Sequence, residues 1–215
     1  MTDTPHIPIP LTEALPTGEI VAAGVPAADY LTDYPGHFEW VRGYVLRMSP
    51  VSLTHDHLTR YLATLFAAYF ELNPIGRVLQ DPFPMRLPAL NTIRQPDLQI
   101  VLHNNPAQLT DTALIGPADI CVEVVSPGSA AVDYGEKFLE YEAAGVAEYW
   151  LLDPLRTTAT FYRLTAAGRY TPHPTATDYT TPRLPRLRLP LATLWQPTLP
   201  GPKEIVRMVE SMWGE

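Results

Sequence analysis

The sequence predicts an α/β fold: one domain with a mixed central β-sheet flanked by helices. Three observations predict it. A long stretch after Ser52 repeats its apolar residues at helical spacing. Two short runs, Asp97–Leu102 and Ile120–Val125, are largely apolar without clean alternation, as strands covered on both faces are. The order of elements reads β, α, several β, α, β, β, in a chain of 215 residues whose 46% hydrophobic content suffices for a substantial core.

The elements follow in chain order. Residues 1–26 are rich in proline, threonine and small residues and read as an N-terminal arm, ahead of a folded domain over 27–197 and a tail over 198–215. Phe38–Met48 is aromatic and β-branched around Gly43, which marks a turn or bulge between two short strands. Leu58, Tyr61, Leu62, Leu65, Phe66, Tyr69 and Leu72 then share one helical face, with Ser52 as cap and Asn73–Pro74 as stop. Short strands are expected at Arg77–Gln80 and Phe83–Leu87, before the two apolar runs. Asp133–Ala144 reads as a helix opened by a capping-box-like Asp133/Glu136 pair and closed by Gly145. Strands follow at Glu148–Leu152, Thr158–Leu164 and near Leu184–Leu189, and a short helix at Lys203–Met212.

Composition narrows the function. One cysteine, Cys121, rules out an internal disulfide and sits in an apolar run as a small core residue. No stretch reaches the roughly 18 apolar residues of a membrane span, and the N-terminus lacks a signal-peptide pattern, so a cytoplasmic protein with no membrane partner is expected. A net charge of −8 weighs against a general nucleic-acid coat protein, but not against a nuclease whose acids are neutralised by metal. No P-loop, dinucleotide-binding glycine pattern, zinc cluster or GxSxG elbow is present.

The remaining chemistry lies in acids. Glu123 falls inside a wholly apolar run, where a carboxylate is costly unless paired or bound to metal. It either joins a site, faces solvent, or pairs with an arginine such as Arg94. Asp97 follows a proline at a strand start, which suits a metal ligand or an ordinary turn residue. Lys137 is one of only two lysines, and as a helix residue it could simply pair with Asp133 and Glu140 at the surface. His55 near the start of the long helix could face a site across the sheet, whereas His57 points elsewhere. Glu39 is a further ligand or a polar strand residue. Tyr141, Tyr149 and Trp150 read as core.

Phe38–Glu39, Gly43, Met48–Ser49–Pro50 and His55, then Pro96–Asp97, Glu123 and Asp133–Tyr134–Gly135–Glu136–Lys137 occur as spaced blocks. Tyr141, Gly145–Val146, Glu148–Tyr149–Trp150, Asp153–Pro154, Leu184–Pro185 and Leu194–Trp195 continue them. Together they resemble a large bacterial family of restriction-endonuclease type, long catalogued as a domain of unknown function, in the PD-(D/E)XK superfamily. The resemblance spans roughly residues 30 to 195. It implies a restriction-endonuclease-like core and metal-dependent DNA cleavage, with Asp97 and Glu123 holding Mg²⁺ (or Mn²⁺) together with the Val124 carbonyl. Val125 occupies the superfamily's usual lysine position, and Lys137 matches this family's relocated lysine, which would orient the attacking water or stabilise developing charge. Arg42 departs from the family, which often has an acid before the glycine. Glu39 and His55 are second candidates for a ligand or phosphate contact, and a homodimer is implied by the way such nucleases cut both strands. The rival readings are a non-catalytic DNA-binding or protein-interaction module that keeps the fold, and a nuclease acting on something other than long duplex DNA.

Overall fold

The computed structural model describes residues 15–214. Its centre is a six-stranded mixed sheet in the spatial order Tyr170–Pro172, Thr158–Leu164, Glu148–Asp153, Ile120–Val124, Leu98–Leu102, Gly76–Gln80. Only Ile120–Val124 and Glu148–Asp153 run parallel there, as a connection through a helix requires. Ile120–Val124 is also antiparallel to Leu98–Leu102, with Val122 opposite Leu98.

Period-two alternation divides each central strand between two cores. Leu98, Ile100, Ile120, Val122, Val124 and Trp150 face the long helix Leu53–Leu72. Helix Pro202–Ser211 and the hairpin Asp178–Thr181/Leu184–Pro190 contribute to that same core. Cys121, Val125, Tyr149 and Leu151 face the opposite way, onto Tyr141 of helix Lys137–Ala144 and onto Met85, Leu87 and Leu114. Glu123 shares the parity of Cys121 and Val125, so it is aimed at the lysine-bearing helix and away from the long one.

Met85, Leu87 and Leu114 belong to a second sheet, ordered Glu19–Ala22, Tyr44–Arg47, Phe38–Val41, Thr92–Arg94, Met85–Leu87, Leu114–Ile115, Gln108–Leu109. Its strands are short, some of only two or three residues, which is why most carry no readable alternation. Of the expected N-terminal arm, residues 1–14 lie outside the described residues, and Glu19–Ala22 is an edge strand of this sheet. The expected turn between Phe38–Val41 and Tyr44–Arg47 is a two-residue hairpin turn in which Arg42 and Gly43 both have positive φ, 51° and 90°. That conformation suits glycine, asparagine or aspartate better than arginine.

The long helix is capped by Ser52, whose side chain accepts from the His55 amide, and ends at Asn73, as its sequence predicts. The start of the next helix differs from expectation. Chain turns begin near Ala130, Val132–Glu136 forms a π-helical turn, and a regular helix continues over Lys137–Ala144. Asp133 makes no capping bond and is buried. The π turn inserts Asp133 into the stripe that also carries Lys137 and Tyr141, and such turns recur at functional sites. Gly145 closes the helix at φ 87°, receiving the expected left-handed cap.

Candidate active site

The two sheets and the π-turn helix meet at a cleft of about 290 Å³ whose walls include Glu39, His55, Asp97, Glu123, Asp133 and Lys137. Asp97 precedes its strand and lies just past the Leu98–Val122 pair, so the sheet register brings it level with Glu123. The Asp97 amide points at Glu123 Oε2 at 3.5 Å. Asp97 Oδ2 accepts hydrogen bonds from the Val124 amide at 2.6 Å and from His55 Nε2 at 2.9 Å. On the other side, Glu123 Oε1 is held by Lys137 Nζ at 3.0 Å and by the Tyr141 hydroxyl at 2.9 Å. Both Glu123 oxygens therefore have a donor, whereas Asp97 is pinned through Oδ2 alone and its Oδ1 takes part in neither of its bonds.

Lys137 is 5% exposed, so the surface pairing that its helix position allows is not what happens. Its ammonium also lies 3.4 Å from Glu39 Oε1 and 3.4 Å from Asp133 Oδ1. Glu140, the other surface partner considered, instead binds Arg94 through both oxygens, at 2.7 and 3.0 Å. Arg94 does not reach Glu123; it pairs with Glu39 at 2.7 Å and Glu136 at 3.1 Å.

Acids outnumber bases here, and the protonation equilibria respond. Burial pushes the Glu123 carboxyl well above the ordinary glutamate range; Lys137 opposes this, but Asp97, Asp133 and Glu39 add to it. Burial likewise raises Asp133, again against Lys137. Burial disfavours the Lys137 ammonium, yet Glu123, Glu39, Asp133 and Asp97 outweigh it and keep the amine protonated well above its usual range. Glu39 moves the other way: burial would raise it, but Lys137 and Arg94 bring it down. His55 is raised, because the hydrogen bond and charge of Asp97 overcome its burial.

Asp133 Oδ1 is buried without a hydrogen-bond donor among the described residues, leaving it only the ammonium 3.4 Å away. Among those residues no three His, Cys, Asp or Glu side chains form a ready-made metal cage. The donor set nevertheless fits a hard divalent cation. It offers carboxylate oxygens and the Val124 backbone at one cleft wall, and its negative surplus is left uncompensated by the protein's own cations.

The structure thus brings Asp97, Glu123, Lys137, Glu39 and His55 into one cleft, with Val124 beside them, though Lys137 forms its ion pairs with Glu123, Glu39 and Asp133 and none with Asp97. His57 faces solvent, and Cys121, Tyr149 and Trp150 are core. Sequence reasoning offered Arg94 only as a partner for Glu123 and Asp133 only as a helix cap and surface partner for Lys137, and it missed the Tyr141 hydroxyl. The spacing of Asp133, Lys137 and Tyr141 four residues apart was the signal available, masked by the capping pattern that Asp133 imitates.

The protein is thus of the mixed α/β class, with carboxylates and one buried lysine gathered at a single cleft. The sequence model of the Uma2 family, described as putative restriction endonucleases, matches residues 28–195, and the chain belongs to that family. A crystal structure of "a putative nuclease belonging to DUF820" from Anabaena variabilis ATCC 29413 has the same fold, with a TM-score of 0.63 at 15% identity over 78% of this chain and 96% of that one. No curated protein matches the chain.

Proposed function

We propose that this protein is a metal-dependent endonuclease that hydrolyses phosphodiester bonds of DNA. One observation carries the reading: a buried lysine ammonium, 3.0 Å from Glu123 and in the same cleft as Asp97, on a scaffold of a restriction-endonuclease family. Asp97, Glu123 and the Val124 carbonyl would hold Mg²⁺ or Mn²⁺. When bound, such an ion supplies Lewis-acid polarisation of a phosphoryl oxygen and a more acidic water.

The chain's own residues do the rest. The Val124 amide and His55 fix the Asp97 carboxylate, and Tyr141 fixes Glu123, so the ligand geometry is set before substrate arrives. Lys137, protonated across the physiological range, is the donor that orients the attacking water or offsets the charge developing on the phosphoryl oxygens. The attack forms one P–O bond and breaks another, freeing a hydroxyl end and a phosphate end.

The test is cleavage of plasmid and oligonucleotide substrates, including single-stranded ones, with Mg²⁺ or Mn²⁺, together with calorimetric titration of the metal. Wild type is expected to cut and to bind metal, and Asp97→Ala and Glu123→Ala to do neither. A folded wild type that binds no metal and cuts none of these substrates would sink the enzyme reading in favour of a binding module. Cleavage surviving both substitutions would place the chemistry elsewhere.

A further inference from the structure

We propose that Arg94, which touches neither Asp97 nor Glu123, is the positioning residue that sets where the Lys137 ammonium sits. Its side chain is completely buried. Nη1 donates to Glu39 Oε2 at 2.7 Å, Nε and Nη2 grip both oxygens of Glu140 at 2.7 and 3.0 Å, and Nη2 also reaches Glu136 Oε2 at 3.1 Å. Lys137 stands between Glu136 and Glu140 on the helix, so Arg94 grips that helix on both sides of the lysine.

The same guanidinium acts a second time through Glu39. With Oε2 on Arg94, Glu39 Oε1 accepts the Gln95 amide at 3.1 Å and lies 3.4 Å from Lys137 Nζ. Arg94 also stands three residues before Asp97. One side chain therefore connects the strand leading into the first acid, the second-sheet carboxylate beside the lysine, and the lysine's own helix.

Stability alone is a weak reason for such a network. A buried arginine among carboxylates costs desolvation that well-packed apolar groups would avoid, and buried ionic groups are retained in some proteins because they fix one arrangement. Only a planar fork with donors on three nitrogens can satisfy Glu39, Glu136 and Glu140 together; a lysine ammonium cannot span them.

This inference rests on the reading of Lys137 as the group that meets the phosphate, but its first test does not depend on activity. The chain has only two lysines, Lys137 and the exposed Lys203. Lysine labelled with ¹³C at Cε therefore gives two resonances from this chain, and Lys203→Arg assigns them. In Arg94→Gln, which adds no lysine, the Lys137 resonance is expected to move while that of Lys203 stays. Glu140→Gln is the second variant, since Glu140 binds Arg94 and forms no ion pair with Lys137, and it retains the side-chain shape; the same displacement is expected. With Mg²⁺ and DNA, kcat per folded molecule should fall about 10- to 100-fold in each, with KM little changed.

A purely structural arginine would lower the melting temperature and leave both readouts of the folded fraction untouched. Either variant, folded and with the Lys137 resonance at its wild-type position, overturns the proposal; if Arg94→Gln does not fold, Glu140→Gln decides. Should wild type cut nothing, the nuclease reading fails while the resonance test still stands.

Discussion

Replacing Lys137 by methionine tests the electrostatics of the cleft directly. The ammonium is buried, with Glu123 at 3.0 Å and Glu39 and Asp133 at 3.4 Å, so its loss leaves three buried carboxyls facing one another. Breaking a buried ion pair by removing one partner costs about 3–5 kcal/mol. In a domain of this length each kcal/mol is worth about 2–4 °C, so the melting temperature should drop by about 6–20 °C at pH 8. The sign of the pH dependence follows from the two sides of the pair. The lysine's folded-state pKa is raised above its ordinary 10.5, so wild type keeps the full contribution at every pH below that. The variant's carboxyls can only escape their repulsion by taking up protons, so the deficit should shrink markedly at pH 5. Thermal unfolding followed by circular dichroism at both pH values measures it. A surface lysine changed to methionine would shift stability by no more than about 0.5 kcal/mol. A drop under about 2 °C at pH 8 would therefore refute the buried ammonium, and a deficit equal at both pH values would refute the role of the carboxyls.

Two further outcomes are expected. Glu123 has a folded-state pKa raised above its ordinary 4.5, so its contribution falls as pH rises from about 4.5 towards the folded value. In metal-free buffer Glu123→Gln should therefore gain on wild type with rising pH, by at most about 1.4 kcal/mol per unit, and a difference flat from pH 5 to 8 in chemical denaturation would contradict it. Gly76→Ala would place a Cβ 2.6 Å from the Val101 carbonyl oxygen in the paired strand, overpacking a backbone contact that cannot swing away. A loss of about 1–3 kcal/mol is expected, and an unchanged melting temperature would show that the strand pair has slack.

The contrast between Glu123 and Lys137 shows what could be read in advance. An acid inside Ile120–Val125 is conspicuous in one dimension, because a strand buried on both faces leaves a carboxylate nowhere ordinary to go. Lys137 is not conspicuous: with Asp133 and Glu140 at helical spacing it has a complete surface explanation, and only its burial overturns that. Arg94 has no local signal at all. Its three partners are 42 to 55 residues away, and no pattern within Thr92–Arg94 announces them. Asp133 misled for a local reason, since Asp followed three residues later by Glu imitates a helix cap, while the π turn carries it inward.

By itself the sequence determined the α/β class, the two central strands, the long capped helix, the Gly145 stop, and Asp97 and Glu123 as the acids of interest. These follow from short-range physics: period, caps, turn residues and the cost of a charge in an apolar run. The tertiary structure decided how the acids are shared. It gave Glu39 and Glu140 to Arg94, Glu123 to Lys137 and Tyr141, and Asp97 to His55. The reason is that ion pairing in a buried site depends on which surfaces the two sheets and the π-turn helix press together, and that is a property of packing over the whole domain.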